Sequence, residues 1–212
     1  MKITDVYKKY NIMPNLQTHQ LRVASVSKLI IDNLTEPITD KKEILTASLL
    51  HDMGNIIKFD LTVFPEFLEP EGFEYWNNIR TKFLEKYGDE EHEATEKIAK
   101  ELNVDDRTYE LITSVGFTRS EQVLATNDIS SMICLYSDQR VGPRGILSID
   151  YRFEEGNKRY KNKYDDSKSN SSFDFLKKIE EFIFTKCKIH PEDITDEAIE
   201  GVMEELKELE VN

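Results

Sequence analysis

Histidine and aspartate residues beside apolar stretches are the groups in this chain whose types and spacing point to chemistry. The 212 residues include only four histidines, and one of them, His51, follows the apolar run 47–50 and directly precedes Asp52. Burying an imidazole beside a carboxylate is unfavourable unless something offsets the lost hydration, and a metal cation commonly does so. The pair therefore indicates a metal site, whose other ligands must come from other segments.

Two further residues could complete such a site. His19 lies on the apolar stripe of a predicted helix and faces inward by its period, although taken alone it is more simply a buried core histidine. Asp138 closes the apolar run 132–136, and taken alone it is more simply a helix-terminal carboxylate that pairs with Arg140 or Arg144. Considered with the histidine–aspartate pair, both become candidate ligands of one ion.

Helices must position these side chains. Glycine and proline are scarce, with 8 and 6 residues, apolar positions recur at intervals of three and four, and alternation typical of strands is nearly absent. We therefore expect an all-α bundle of about eight to ten helices. The predicted helices cover residues 16–34, 40–49 with Thr39 or Asp40 as cap, 73–87, 90–102, 106–115, 128–140, 148–163, 173–187 and 196–209.

The end of the second helix matters for the proposed site. Neighbouring residues on a helix point about 100° apart, so His51 and Asp52 can share one ion only where the helix ends or its wall is concave. Gly54 is predicted to supply that end, because glycine commonly follows the last helical residue.

The four candidate ligands resemble a known signature. His19, then His51 and Asp52 in LLHDMGN, then Asp138 in LYSDQRV resemble the H…HD…D pattern of the HD-domain superfamily of metal-dependent phosphohydrolases. The flanking segments THQLRVASVSKLI and ASLLHDMG resemble its first ligand helix and the end of its HD helix. YSDQRVGPRGILSIDYRFEEGNKRY resembles the closing segment of small bacterial and archaeal members. The resemblance covers residues 14–160.

The resemblance implies a helical bundle with one divalent metal ion held by His19, His51, Asp52 and Asp138. It also implies hydrolysis of a phosphate ester or anhydride, usually in a nucleotide, with His51 and Asp52 in catalytic roles. Imidazole and carboxylate ligands suit Mn²⁺, Fe²⁺, Co²⁺, Ni²⁺ or Zn²⁺, with Mg²⁺ as a further option. Such an ion polarises a phosphoryl oxygen and lowers the pKa of its water, which the carboxylates orient.

His92 is the third catalytic candidate. In GDEEHEATEKIAKEL it resembles the additional histidine that many HD proteins carry on the helix after the HD pair, where it helps to bind a second metal or the phosphate. The alternative is a solvent-exposed histidine in an acidic first helical turn, where the neighbouring glutamates suit the helix dipole.

Four cations are candidates for binding the substrate phosphate. Arg22 lies one helical turn after His19, and Arg140 lies two residues after Asp138. Lys58 and Arg144 complete the set, with Arg119 as a weaker candidate. An exposed or salt-bridged surface cation is the simpler interpretation of each, except Arg22, for which both interpretations stand equally.

The chain also departs from the family pattern. The region LITSVGFTRSEQ lacks the further histidines of two-metal members, so we expect neither a dinuclear centre nor a cyclic-dinucleotide phosphodiesterase. Asn55 stands where many relatives have lysine. A second hypothesis is therefore a non-catalytic HD module that binds a nucleotide or a protein partner with a structural metal. A third is a purely structural helical adaptor in which the four residues lie apart.

Composition limits the partners. The net charge of −13 argues against binding a nucleic acid polymer, and the absence of a long apolar run argues against membrane insertion. Cys134 and Cys187 lack a CxxC partner and are interpreted as reduced thiols of a cytoplasmic protein. The expected partner is a small phosphorylated substrate, most simply a nucleotide, and a homodimer through the C-terminal helices is as open as their pairing within one chain.

The predicted organisation has three parts. Residues 1–160 form the HD-type metal-binding domain, the polar residues 161–172 form a linker, and residues 173–212 form a C-terminal helical hairpin packed on the main domain. Trp76 lies in the aromatic-rich helix 73–87, which indicates core or lid packing, and a lid that stacks on a base is the alternative.

Overall fold

The computed structural model describes residues 1–159 and 166–211. These residues form eleven α-helices, four short 3-10 helices and no β-strand, which confirms the all-α prediction. The α-helices are α1 (Ile3–Lys9), α2 (Pro14–Asp32), α3 (Lys41–Leu50), α4 (Phe73–Tyr87), α5 (Glu91–Glu101), α6 (Asp106–Ser114), α7 (Ser120–Thr126), α8 (Ile129–Gln139), α9 (Ile149–Arg159), α10 (Asp166–Phe184) and α11 (Asp196–Leu206). The 3-10 helices are Asn55–Lys58, Pro65–Leu68, Phe117–Arg119 and Pro191–Asp193.

Helix α3 is the centre of the bundle. Every residue from Ile44 to Leu50 is buried, so the helix is covered all round, and it packs against α2, α6 and α8. A helix that is apolar on all sides must lie inside the protein, because no face of it favours water. Tyr7 of α1 also donates a hydrogen bond of 2.8 Å to the Leu49 carbonyl. This core fixes the C-terminal ends of α3 and α8 close to α2.

Most predicted helices agree with the observed bounds to within a few residues, but α1 and α7 were not predicted. Each has seven residues, too few for an apolar period to repeat. Asp40 occupies the predicted N-cap position of α3, yet its side chain makes no capping bond. Its carboxylate instead accepts hydrogen bonds from Arg107 at 2.8 Å and Ser130 at 2.9 Å, and so ties α3 to α6 and α8.

The C-terminal region differs from the predicted linker and hairpin. Helix α10 begins at Asp166, so residues 166–172 of the predicted linker are helical, while residues 160–165 lie outside the described part of the chain. Helix α10 packs on α7 and α8, and α11 packs on α2. In the described residues the two helices therefore contact the main body more than each other, because their apolar faces match separate surfaces of it.

Both cysteines are free thiols. Burial raises the pKa of Cys134 to about 12 and that of Cys187 to about 11, so neither is a reactive thiolate at neutral pH. None of the described helices has the length and apolarity that crossing a bilayer requires.

Candidate metal centre

Four side chains from three parts of the bundle converge on one point. His19 lies on α2, His51 and Asp52 follow the end of α3, and Asp138 lies in the last turn of α8. Each offers one ligand atom, and these four atoms all lie within 4.8 Å of one another. The helix packing therefore brings together the set that the sequence predicted as metal ligands.

The distances show a tight group of two imidazoles and two carboxylates. His19 Nε2 lies 3.2 Å from Asp138 Oδ1 and 3.5 Å from Asp52 Oδ2. His51 Nε2 lies 3.4 Å and 3.6 Å from the same two oxygens. The centroids of the two imidazole rings are 5.4 Å apart. Each nitrogen thus faces both carboxylates around a shared space.

The residues of this group fit a divalent metal ion. Both Nε2 atoms are buried and have no hydrogen-bond partner in the described structure. An unpaired buried polar atom ordinarily costs about 1–3 kcal/mol, and coordination of a cation removes that cost. Two imidazole nitrogens and two carboxylate oxygens form a donor set suited to Mn²⁺, Fe²⁺, Co²⁺, Ni²⁺ or Zn²⁺.

The charges of the group also favour a cation. Burial raises the pKa of Asp138, but the close imidazoles of His19 and His51 outweigh it and hold that pKa well below its ordinary value. Burial lowers the pKa of His51, but the neighbouring carboxylates of Asp52 and Asp138 raise it to about 9. Two carboxylates in a largely buried position create a field that stabilises positive charge.

The end of α3 orients His51. The helix stops at Leu50, and His51 occupies the C-cap position, so the next residue turns away from the helix axis. His51 Nδ1–H donates a hydrogen bond of 2.8 Å to the Ser48 carbonyl. This bond leaves Nε2 as the ligand atom, an arrangement common among metal-binding histidines. The predicted need for a helix end at the His51–Asp52 pair is therefore confirmed.

Gly54 has a role other than the predicted helix stop. Its backbone angles of φ −90° and ψ −4° are open to any residue, and α3 has already ended at Leu50. A Cβ atom at Gly54 would lie 2.4 Å from the Glu91 carbonyl oxygen and 2.8 Å from Ala94 Cβ. Glycine is required because α5 presses directly against this turn, and Gly54 N–H donates a 2.9 Å hydrogen bond to Thr95 Oγ1.

The comparisons with known proteins agree with this geometry. A family model described as HD domain matches residues 16–131. The chain belongs to the HD-domain family. The matched residues include His19, His51 and Asp52. Asp138 lies seven residues beyond the end of the match, and the fold brings it next to the other three ligands. No curated protein and no solved structure matches the chain. Membership in the family places this HD domain in a superfamily of metal-dependent phosphohydrolases.

His92 lies beside the metal centre of the HD domain. It shares a narrow cleft with His51, Thr95 and Arg119, and 49% of its side chain is exposed. Arg119 is half-buried, and its NH1 group donates to the Thr113 carbonyl. The approach of α5 to the Gly54 turn brings His92 to this cleft. His92 and Arg119 therefore share this cleft with one residue of the metal-ligand group, His51.

Three of the predicted phosphate-binding cations are paired with carboxylates. Arg22 Nε lies 3.5 Å from Asp196 Oδ1 of α11, Lys58 Nζ lies 3.3 Å from Glu91 Oε1, and Arg144 lies 3.0 Å from Glu66 while covering the Phe64 ring. Arg22 and Lys58 remain close to elements that carry the centre. Arg22 lies on α2 with His19, and Lys58 ends the 3-10 helix that follows the turn of residues 51–54, the HD turn. Arg144 lies in the loop between α8 and α9 and is 74% exposed, and its partner Glu66 is on the 3-10 helix Pro65–Leu68.

Arg140 has a structural role in place of the predicted contact with phosphate. It is only 3% exposed, and its NH1 group donates to Tyr136 at 2.7 Å and to the Pro191 carbonyl at 3.0 Å. Its NH2 group donates to the Ile194 carbonyl at 3.2 Å, and Nε donates to the Leu147 carbonyl at short range. Each of its three nitrogens therefore donates to a backbone carbonyl and holds separate segments together.

Sequence reasoning missed several contributors to this HD domain. Glu91 looked like a dipole-stabilising surface residue, but its side chain lies within reach of both Lys58 and His92. Thr95 links the HD turn to α5 by accepting from Gly54 N–H and donating to the Glu91 carbonyl at 2.9 Å. The partners of Thr95 in these hydrogen bonds are backbone groups of Gly54 and Glu91, so no pattern of residue types in the sequence predicts the contacts.

Proposed function

We propose that this HD domain is a hydrolase that cleaves a phosphate ester or anhydride of a small nucleotide-like substrate, using one divalent metal ion. The observation that carries the proposal is the convergence of four ligand atoms within 4.8 Å, two of them buried imidazole nitrogens without a partner in the described structure. His19, His51, Asp52 and Asp138 would hold the ion. When bound, a divalent ion supplies a Lewis acid for the phosphoryl oxygens and lowers the pKa of water.

Asp52 is the best-placed proton acceptor. Its Oδ2 atom faces both imidazoles, and among the described residues no donor occupies its other oxygen. Its side chain is 16% exposed, so water can reach it. A carboxylate in this position can orient the attacking water and accept its proton.

His92 and Arg119 are suited to bind the phosphoryl group. Both line a small cleft to which the metal-ligand residue His51 also contributes. The guanidinium of Arg119 is permanently charged and offers several N–H donors in a plane that matches phosphate oxygens. These groups offset the repulsion that Asp52 and Asp138 exert on an anionic substrate. Without a metal ion that repulsion dominates, so we expect activity to depend on metal.

Phosphate release from defined substrates tests the proposal. Metal-stripped protein is supplied in turn with Mn²⁺, Co²⁺, Ni²⁺, Zn²⁺ or Mg²⁺ and assayed with nucleoside mono-, di- and triphosphates and with simple phosphodiesters. We expect release that requires metal and is lost in Asp52→Asn. The matched control is Asp106→Asn, which removes an exposed carboxylate in the first turn of α6 and should keep wild-type activity.

A negative result has a defined meaning. Stoichiometric metal binding without release from any substrate would contradict hydrolysis and favour the non-catalytic module with a structural metal. Equal loss of activity in Asp52→Asn and Asp106→Asn would show that the assay reports folding and not chemistry.

A further inference from the structure

The segment of residues 191–196 contacts both helices that carry the separate ligands His19 and Asp138. It runs from the last 3-10 helix to the first residue of α11, outside the residues 16–131 that the HD family model matches. Side chains near the two ligands reach it from the end of α8 and from α2. A part of the chain beyond the family match therefore bridges the two ligand helices.

Arg140 attaches this segment to the end of α8. Its guanidinium donates to the Pro191 carbonyl at 3.0 Å and to the Ile194 carbonyl at 3.2 Å. Arg140 is the C-cap residue of α8, and its backbone N–H donates into the last turn of that helix, in which Asp138 lies. Ile194 is buried in the core. The attachment to α8 is therefore rigid and lies two residues from a metal ligand.

Asp196 attaches the same segment to α2. Arg22 Nε lies 3.5 Å from Asp196 Oδ1, and this nitrogen is buried with no hydrogen-bond partner in the described structure. The Asp196 carboxylate is thus the charge that offsets the burial of the Arg22 guanidinium. Arg22 lies three residues after His19, and side chains at this spacing are neighbours on one helix face. The ion pair therefore acts one helical turn from the other metal ligand.

The loop after α8 orients the Asp196 carboxylate. Its second oxygen, Oδ2, accepts a hydrogen bond of 3.0 Å from the Ile146 N–H. A Cβ atom at Gly145 would lie 2.4 Å from the same oxygen, so the loop approaches Asp196 this closely only with glycine there. Arg140 holds the loop in turn, because its Nε donates to the Leu147 carbonyl. Asp196 is therefore fixed by the loop on one side and faces Arg22 on the other.

The position of α2 relative to α8 decides whether the two ligands can share an ion. His19 Nε2 lies 3.2 Å from Asp138 Oδ1, and metal–ligand bonds tolerate errors of only about 0.2 Å. Direct packing of α2 on α8 brings the helices together. The contacts of the 191–196 segment add a second connection, whose two attachments lie within three residues of the two ligands.

We propose that Asp196 is a positioning residue of the metal centre, which acts through Arg22 and raises metal affinity by holding His19 in place toward Asp138. This role rests on the proposed function only for the assignment of the four ligands, and it does not require hydrolysis. It gives the C-terminal part of the chain a function in metal binding.

Calorimetric titration of the metal-free full chain with Mn²⁺, with no phosphate or substrate present, tests this role. Asp196→Asn removes the charge, and Gly145→Ala displaces the carboxylate at a position whose backbone allows alanine. We expect each substitution to weaken Mn²⁺ binding about fivefold, which is less than the loss of about 10–100-fold that follows removal of a ligand's direct hydrogen-bond partner.

Each variant has a matched control. Glu197→Gln removes an exposed charge from the same first turn of α11. Gly156→Ala adds a Cβ atom that makes only an ordinary contact of 3.6 Å, with Arg152 NH1. Both controls should bind Mn²⁺ with the wild-type Kd.

Two further measurements separate positioning from a general loss of stability. The visible absorption spectrum of bound Co²⁺ reports coordination geometry, and it should change in Asp196→Asn but not in Glu197→Gln. The unfolding temperature of the metal-free Asp196→Asn protein should equal that of Glu197→Gln, because a half-exposed ion pair contributes little to stability. The double variant Arg22→Gln, Asp196→Asn should bind Mn²⁺ no more weakly than either single variant, since both act through one contact.

The outcomes distinguish the positioning role from the proposed function. Wild-type affinity for Mn²⁺ in both Asp196→Asn and Gly145→Ala would refute the positioning role, whether or not the protein releases phosphate. A double variant whose loss equals the product of the two single losses would also refute it. Weakened binding with the expected coupling, but without hydrolysis of any substrate, would support the positioning role and contradict the hydrolase. A wild-type protein that binds no metal would refute both.

Discussion

Replacement of Gly54 by alanine tests how α5 is held against the HD turn. The added Cβ would lie 2.4 Å from the Glu91 carbonyl oxygen, 2.8 Å from Ala94 Cβ and 2.9 Å from Thr95 N. Favourable carbon contacts lie at about 3.5–4.0 Å, so α5 must retreat by about 1 Å. The neighbours include backbone atoms, which cannot move aside by rotating a side chain. We therefore expect the substitution to weaken the fold.

The expected loss follows from three terms. Overpacking of a filled site costs about 1–3 kcal/mol, and three close contacts place this site at the upper end. The Gly54 N–H to Thr95 hydrogen bond contributes about 1 kcal/mol, which a retreating helix loses. Alanine restricts the unfolded chain and returns about 0.4–1 kcal/mol. The net destabilisation is about 3 kcal/mol, which lowers the unfolding temperature of a domain of this size by about 6–12 °C.

Thermal and urea unfolding of Gly54→Ala measure this effect. The matched control is Gly201→Ala, because a Cβ at Gly201 meets nothing within 4 Å in the middle of α11. Alanine is favoured over glycine in a helix by about 1 kcal/mol, so this variant should unfold a few degrees higher than the wild type. An unfolding temperature of Gly54→Ala within 2 °C of the wild type would refute the close packing of α5 on the turn.

Three further predictions concern the metal, the pH dependence of stability and the role of a buried arginine. Free Mn²⁺ at a hundredfold excess over its Kd should raise the free energy of unfolding by about 2.7 kcal/mol. In a thermal shift assay, Asp138→Asn should lose most of that gain. An equal gain in both proteins would contradict the ligand assignment. Burial raises the pKa of Asp128, but hydrogen bonds from Arg107 and Ser131 outweigh it and hold that pKa below its ordinary value of 3.8. The ionised carboxylate therefore stabilises the fold fully above pH 3.8. This stabilisation is lost as the pH falls through the pKa that Asp128 has in the folded protein. Asp128→Asn should therefore be less stable than the wild type by about 1.5–3 kcal/mol at pH 7, and urea unfolding at pH 7, 5 and 3 should show the difference shrink below pH 4, whereas a difference independent of pH would count against it. Arg140→Met should destabilise the fold by about 3 kcal/mol in urea unfolding, while the KM of the folded fraction stays at the wild-type value; a raised KM with unchanged stability would restore Arg140 as a substrate ligand.

The metal centre was predictable because its signal is local in the sequence. His51 and Asp52 are adjacent, and His19 and Asp138 each lie in an apolar stretch that periodicity assigns to a buried helix. These four residues of ligand type also follow one another in the order of the family signature. That order predicts that their side chains converge on one site. The long helices were predictable for a related reason, since α2, α4 and α8 each contain several turns of repeated apolar positions.

The phosphate-binding cations could not be assigned in the same way. Arg140 lies two residues from Asp138, yet it is turned toward the carbonyls of Pro191 and Ile194, which lie more than fifty positions away in the chain. Arg22 lies one turn from His19, but its partner Asp196 is on α11. Proximity in sequence says nothing about which distant backbone or carboxylate a long, flexible cation meets.

The sequence by itself determined that the protein is helical and that two His and two Asp side chains form one candidate metal site, because periodicity and residue type are properties of neighbouring residues. Only the tertiary structure decided that Gly54 is needed for the approach of α5, that Glu91 lies within reach of both Lys58 and His92, and that a cavity opens between residues 58–62 and α4. These features arise where separate helices meet, and the distances between such helices are set by the packing of the whole core.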